Sequence, residues 1–145
     1  MNNHPNPNAN DEQWMEWNQA LSSEGARLRA AMELPQADIE RMLADSLARI
    51  AASGARPARL SASDVLMAMR SLLEPVFGNG TMTAAVNVAL RESGTQLDGI
   101  AASNWREFVA RLSTAIAQVC GLAAGRLVDL AGVSLGNALL TGGDA

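Results

Sequence analysis

One cysteine and one histidine are all this chain has of the side chains most often recruited for catalysis, and that scarcity bounds its chemistry. Cys120 has no second cysteine to pair with, so no disulfide can form within the chain and a reducing compartment is favoured. In its apolar surroundings, between Val119 and Gly121, the thiol is expected to act as a small buried hydrophobe. His4 lies in a stretch of asparagine and proline, so neither a Ser-His nor a Cys-His pair can be assembled in the folded part. The same shortage leaves no ligand set for a metal. No enzyme is expected, and no catalytic, cofactor-binding or metal-binding residue is assigned.

Lysine and tyrosine are absent, all 11 basic residues are arginine, and the net charge is −4. A negative field repels phosphate backbones, so nucleic acid is not an expected partner. The bias toward arginine, and toward alanine with 27 occurrences, points to a GC-rich bacterial genome rather than to a physical demand. Met1 to Asn10 has neither positive charge nor an apolar run, which argues against a conventional signal peptide and makes cytoplasmic residence the expectation. Export by a route that reads a polar N-terminus stays open. No sustained alternation of β-branched or aromatic residues suggests a strand.

What is present is helical periodicity on an apolar fraction of 48% over 145 residues, enough for one core. The expected fold is all-α, a compact bundle of about five to six helices. Residues 1–10 read as a disordered tail, 11–140 as a single helical domain and 141–145 as a flexible C-terminus.

The first helix is expected from Asp11 to about Glu33, with Asn10 as N-cap and Trp14, Trp17, Leu21 and Leu28 on its inner face. Pro35 opens the second in its first turn, and Ile39, Met42, Leu43, Leu47 and Ile50 form its buried side. Asp38, Arg41, Asp45 and Arg49 form a ladder of alternating charge on the opposite side, read as a solvated face. After a break at Ser53 to Leu60, Ser61 and Asp64 approximate a capping box for the third helix, which Pro75 bends or ends. Phe77 to Gly80 reads as a turn, Thr81 as the cap of the fourth helix and Gly94 as its stop. Asn104 with Glu107 suggests a second capping box, opening a strongly amphipathic helix through Trp105, Phe108, Val109, Leu112, Ile116 and Val119.

The most informative stretch follows. Gly121, Gly125, Gly132 and Gly136 fall on one face of a nearly uncharged helical segment, flanked by Leu122, Leu127, Val128 and Leu135. Glycine inside a helix costs about 0.8–1.0 kcal/mol relative to alanine, so four in register need a packing reason. Close approach of another helix supplies it, from the same chain, from a second copy or from a protein partner. Arg126 and Asp129, three residues apart, could pair with each other or with symmetry mates and fix the register of such a contact. Those two charges also oppose membrane insertion of the stretch, at roughly 2.5–3.5 kcal/mol each near a bilayer centre.

Ala89-Leu90-Arg91-Glu92-Ser93-Gly94, followed by Asn104-Trp105 before an apolar helix, resembles the order of two signature helices in the B-cell-lymphoma family of apoptosis regulators. That resemblance implies a helical bundle with a groove for partner helices. It departs from the family pattern at Arg106-Glu107, where Gly-Arg is the rule, in its short intervening segment and in lacking the C-terminal tryptophan motif.

The expected function is thus a non-enzymatic protein-protein interaction module, binding itself as a homo-oligomer or another protein through the glycine-striped helix. Two alternatives are a membrane-active bundle storing an apolar hairpin, and a ligand-sensing domain with a pocket at Met42, Met67, Met69 and Trp105.

Overall fold

Apolar side chains recurring every three to four residues are buried along one face of each segment, so the chain folds as stacked amphipathic helices. The computed structural model describes residues 11–31, 33–54, 57, 60–96 and 99–140. Among these it contains six α-helices and no strand. They are α1 (Asp11–Ala31), α2 (Gln36–Ala51), α3 (Ala62–Phe77), α4 (Asn79–Ser93), α5 (Trp105–Cys120) and α6 (Leu122–Leu139), with a 3₁₀ turn at Ala102–Asn104 leading into α5. The expected disordered tail and flexible C-terminus, with Asn10 as a cap, lie outside the described residues.

α1 lies against α3, α5 against α6 and α4 against α5, while α2 bridges α1 and α6. The core sits where α1, α3, α5 and α6 meet, and its largest fully buried side chains include Trp17, Leu21, Leu66, Met69, Leu72, Leu112 and Ile116. Trp14 and Trp17 are buried, as the periodicity of α1 predicts.

α1 and α3 cross closely. Gly25 sits on the buried face of α1, and a Cβ built there would clash with the Leu72 carbonyl oxygen and lie 3.0 Å from the Pro75 ring. Glycine therefore sets the distance between the two helices. Beside the crossing, the Ser71 hydroxyl donates to Asn18 Oδ1 at 3.1 Å. Pro75 lies inside the last turn of α3 rather than ending it.

Several helix ends depart from expectation. Pro35 is the N-cap of α2, outside the helix, and not a first-turn residue. The capping box at α3 forms as expected: Ser61 N–H donates to Asp64 Oδ2 at 2.9 Å, and Asp64 N–H to Ser61 Oγ at 3.2 Å. The turn expected over Phe77 to Gly80 contracts to Gly78 alone, at φ +94°, and α4 begins at Asn79 without using Thr81 as a cap. A single glycine at positive φ is enough to turn the chain from α3 into α4, and side chains staple the joint. Arg70 donates to Glu74 at 3.1 Å and to Thr83 Oγ1 at 2.7 Å, while Asn79 donates to Glu74 at 3.1 Å. Asn104 is the N-cap residue of α5, as expected, but its side chain makes no capping hydrogen bond; its Oδ1 accepts instead from Ala101 N–H at 2.9 Å, closing the 3₁₀ turn. Gly94 does stop α4, at φ +67°.

The charge ladder of α2 is also only partly realised. Asp38 and Arg41 pair at 3.4 Å, but Arg49 turns to α1, where its Nε and Nη2 each donate to the Glu24 carboxylate at 2.8 Å. This two-point bond joins helices adjacent in sequence, and the Glu24 side chain is only 13% exposed. The Arg49 hydrogen bonds hold the Glu24 carboxyl below its ordinary value against the opposing effect of burial, and the Ser46 hydroxyl adds to them.

A depressed carboxyl stabilises the fold above its unfolded-state pKa, and that contribution is lost as pH falls through the folded-state value. Arg49 is correspondingly raised, beyond any pH at which the fold would be tested. Glu24→Gln should lower Tm at pH 7 by about 2 °C. In melts recorded down the acid range the two proteins should converge as Glu24 protonates, whereas a gap that persists unchanged would mean that the charge on Glu24 contributes nothing.

Candidate functional site

The C-terminal third forms an antiparallel hairpin, α5 and α6, joined at Gly121. This residue has φ +101°, a conformation that glycine alone adopts without strain, so the apolar C-terminal stretch divides here into two helices. Gly121 N–H donates to the Ala117 carbonyl at 2.9 Å, closing α5, and its own carbonyl accepts from Gly125 N–H at 3.1 Å, opening α6. One residue thus serves both helices.

The other three stripe glycines form the seam between them. A Cβ at Gly125 would lie 2.7 Å from the Ala117 Cβ and 2.9 Å from the Ser113 carbonyl oxygen. At Gly132 it would lie 2.6 Å from Val109 and 3.2 Å from Met69 of α3, and at Gly136 2.5 Å from the indole of Trp105. Hydrogen bonds lock the contact: the Ser113 hydroxyl donates to the Gly125 carbonyl at 2.6 Å, and Trp105 Nε1–H to the Gly132 carbonyl at 2.8 Å. Of the alternatives weighed from sequence, packing within the chain is the one this fold uses. Leu127, Val128 and Leu135 are buried with the stripe in the core.

The remaining interaction candidates lie on the outside of the hairpin. Leu122 is 86% exposed and Val119 74% exposed, although Val119 was expected on the inner face of α5. Cys120 is exposed too, contrary to the buried thiol expected from its neighbours. The reason in each case is that the break at Gly121 comes before the apolar pattern ends, leaving the last turn of α5 beyond the end of the core. Val119, Cys120, Gly121, Leu122 and Ala123 make five consecutive exposed residues without a charge or a hydrogen-bonding side chain other than a thiol.

Two grooves flank this corner. One, of about 320 Å³, runs between α4 and α5 and is lined by Ala84, Ala85, Val88, Ala115, Ile116 and Val119, among others. The second, of about 530 Å³, runs between α5 and α6, with Ser113, Ala117, Leu122, Gly125, Arg126 and Asp129 in its walls. Gln118 borders both. Arg126 is exposed and Asp129 half-buried, and neither forms an ion pair with the other or with any other described residue.

Among the described residues no group of three His, Cys, Asp or Glu side chains could hold a metal ion. The methionines weighed as a ligand pocket are dispersed, with Met69 fully buried, Met42 half-buried and Met67 44% exposed, while Trp105 is committed to the hairpin seam. No helix among the described residues is long and apolar enough to cross a membrane. No protein-family model, curated protein or solved structure matches the chain.

Proposed function

We propose that this protein is a non-enzymatic interaction module of the cytoplasm that binds protein through the outer corner of the α5–α6 hairpin. The observation that carries this reading is the run Val119 to Ala123, because a helix-hairpin turn facing water ordinarily takes polar residues. Single exposed apolar residues need no explanation, but a run set between two grooves is the form that recognition surfaces take. The glycine stripe then has a supporting role: it brings α5 and α6 close enough to make the corner rigid, and the contact surface is their outer edge.

A photo-crosslinking residue placed at Leu122 of the full chain in its native cell tests this. It should give a discrete protein adduct, and one placed at the exposed Glu92 of α4 should not. Val119→Asp should remove the adduct. Equal labelling at positions 122 and 92, or none at either, would overturn the reading.

A further inference from the structure

We infer that the partner at this corner is a second copy of the same chain, an inference that rests on the interaction reading above. The argument begins with the outer edge of α6. Leu122, Arg126 and Asp129 follow one another at intervals of four and three residues and line the same groove, so they share one helix edge. Inward approach of a second helix is ruled out, since a methyl group at Gly125, Gly132 or Gly136 would already collide with α5. A partner must therefore meet this outer edge.

The edge is self-complementary in charge. It carries one cation and one anion one turn apart, both without an ion-pair partner among the described residues. Two such edges laid antiparallel about a twofold axis bring Arg126 of each copy to Asp129 of the other. A single symmetry operation thus makes two ion pairs. A different protein would need its own cation and anion in matching register, whereas this chain already holds both halves. The apolar elements match in the same way: the exposed Leu122 and Val119 project beside the α4–α5 groove, walled by alanine, isoleucine and valine, so each copy presents both ridge and groove.

The test is sedimentation equilibrium of the full chain from about 1 to about 200 µM. The wild type should pass reversibly from one to two monomer masses. Arg126→Asp or Asp129→Arg alone should raise the dimer dissociation constant about tenfold or more, since each replaces two attractions by two repulsions. The combined variant Arg126→Asp with Asp129→Arg should return it to within about threefold of wild type, because the swap restores complementarity. Leu122→Asp should leave a monomer, and as that side chain is exposed its loss leaves the core intact.

A wild type that is monomeric throughout, with the adduct at position 122 retained in cells, would overturn the second-copy inference and leave the interaction reading standing. Loss of both would end the two together. A dimer that survives Leu122→Asp and both charge reversals uses another face and also overturns the inference.

Discussion

Gly25→Ala is expected to destabilise the protein by at least about 3 kcal/mol and to lower Tm by about 10 °C, the largest effect of any single methyl group in the chain. The added Cβ would clash with the Leu72 carbonyl oxygen, a backbone atom held in place by α3, and would press on the Pro75 ring at 3.0 Å. A flexible side chain could swing aside from such a contact. A helix backbone cannot, so α1 and α3 would have to separate and thin out the packing around Trp17, Leu21 and Leu28. The gain of about 1 kcal/mol in helix propensity from glycine to alanine is too small to offset this. Gly80→Ala is the internal control: that residue lies in α4 with open space around its Cα, so the same substitution should stabilise, by about 0.5 kcal/mol. Paired urea and thermal melts give both signs. A Gly25→Ala protein as stable as wild type would mean that α1 and α3 do not cross this closely.

That glycine marks the limit of what the sequence discloses. Gly25 shares the face of Trp14, Trp17, Leu21 and Leu28 at helical spacing, and a residue without a side chain on an apolar stripe is a sign of close helix approach. In the C-terminal third four glycines in register make the same sign visible. In α1 one glycine among large side chains does not stand out, and nothing in the local pattern says that a backbone carbonyl of α3 lies opposite it.

The helices themselves are legible because their burial follows a period that the apolar residues spell out. Their ends are less so, for a physical reason. At Gly78 and Gly121 one glycine at positive φ joins two helices directly, and no side-chain cap forms at the start of α4 or α6. Asn104 closes the 3₁₀ turn, and Arg49 reaches across to Glu24, a partner 25 residues away that no i,i+4 pattern can reveal.

The proposed interaction surface is half legible. The sequence draws attention to α6, and the structure assigns the glycines of that helix to the seam with α5. It also brings to the outside residues whose periodicity points inward. Val119 continues the stripe of Phe108, Leu112 and Ile116, but the core ends one turn before it. A periodic pattern gives the direction of a side chain around the helix axis; whether anything lies in that direction depends on where neighbouring helices stop.

Removing the Trp105 indole is expected to reverse the sign of a substitution 31 residues away, and this is the decisive check on the hairpin seam. In the wild type, Gly136→Ala should destabilise by about 2–3 kcal/mol, because its Cβ would lie 2.5 Å from the Trp105 Cδ1 and Nε1 atoms. The ring has nowhere to retreat. It is 2% exposed, stacks on Phe108 with centroids 6.0 Å apart and is tied to the Gly132 carbonyl through Nε1–H. Trp105→Ala alone should cost about 3–5 kcal/mol through the cavity it opens. In that background the methyl group at position 136 enters vacated space and adds helix propensity, so Gly136→Ala should become neutral or stabilising by up to about 1 kcal/mol. The double-mutant cycle should therefore show a coupling of at least about 2 kcal/mol, against the few tenths expected of independent sites. Gly125→Ala, which meets Ala117 and the Ser113 carbonyl rather than the indole, should stay destabilising in both backgrounds. Additive energies at 136 would detach that glycine from Trp105, and if Gly125→Ala and Gly132→Ala were neutral as well the stripe on α6 would again be a surface open to another chain.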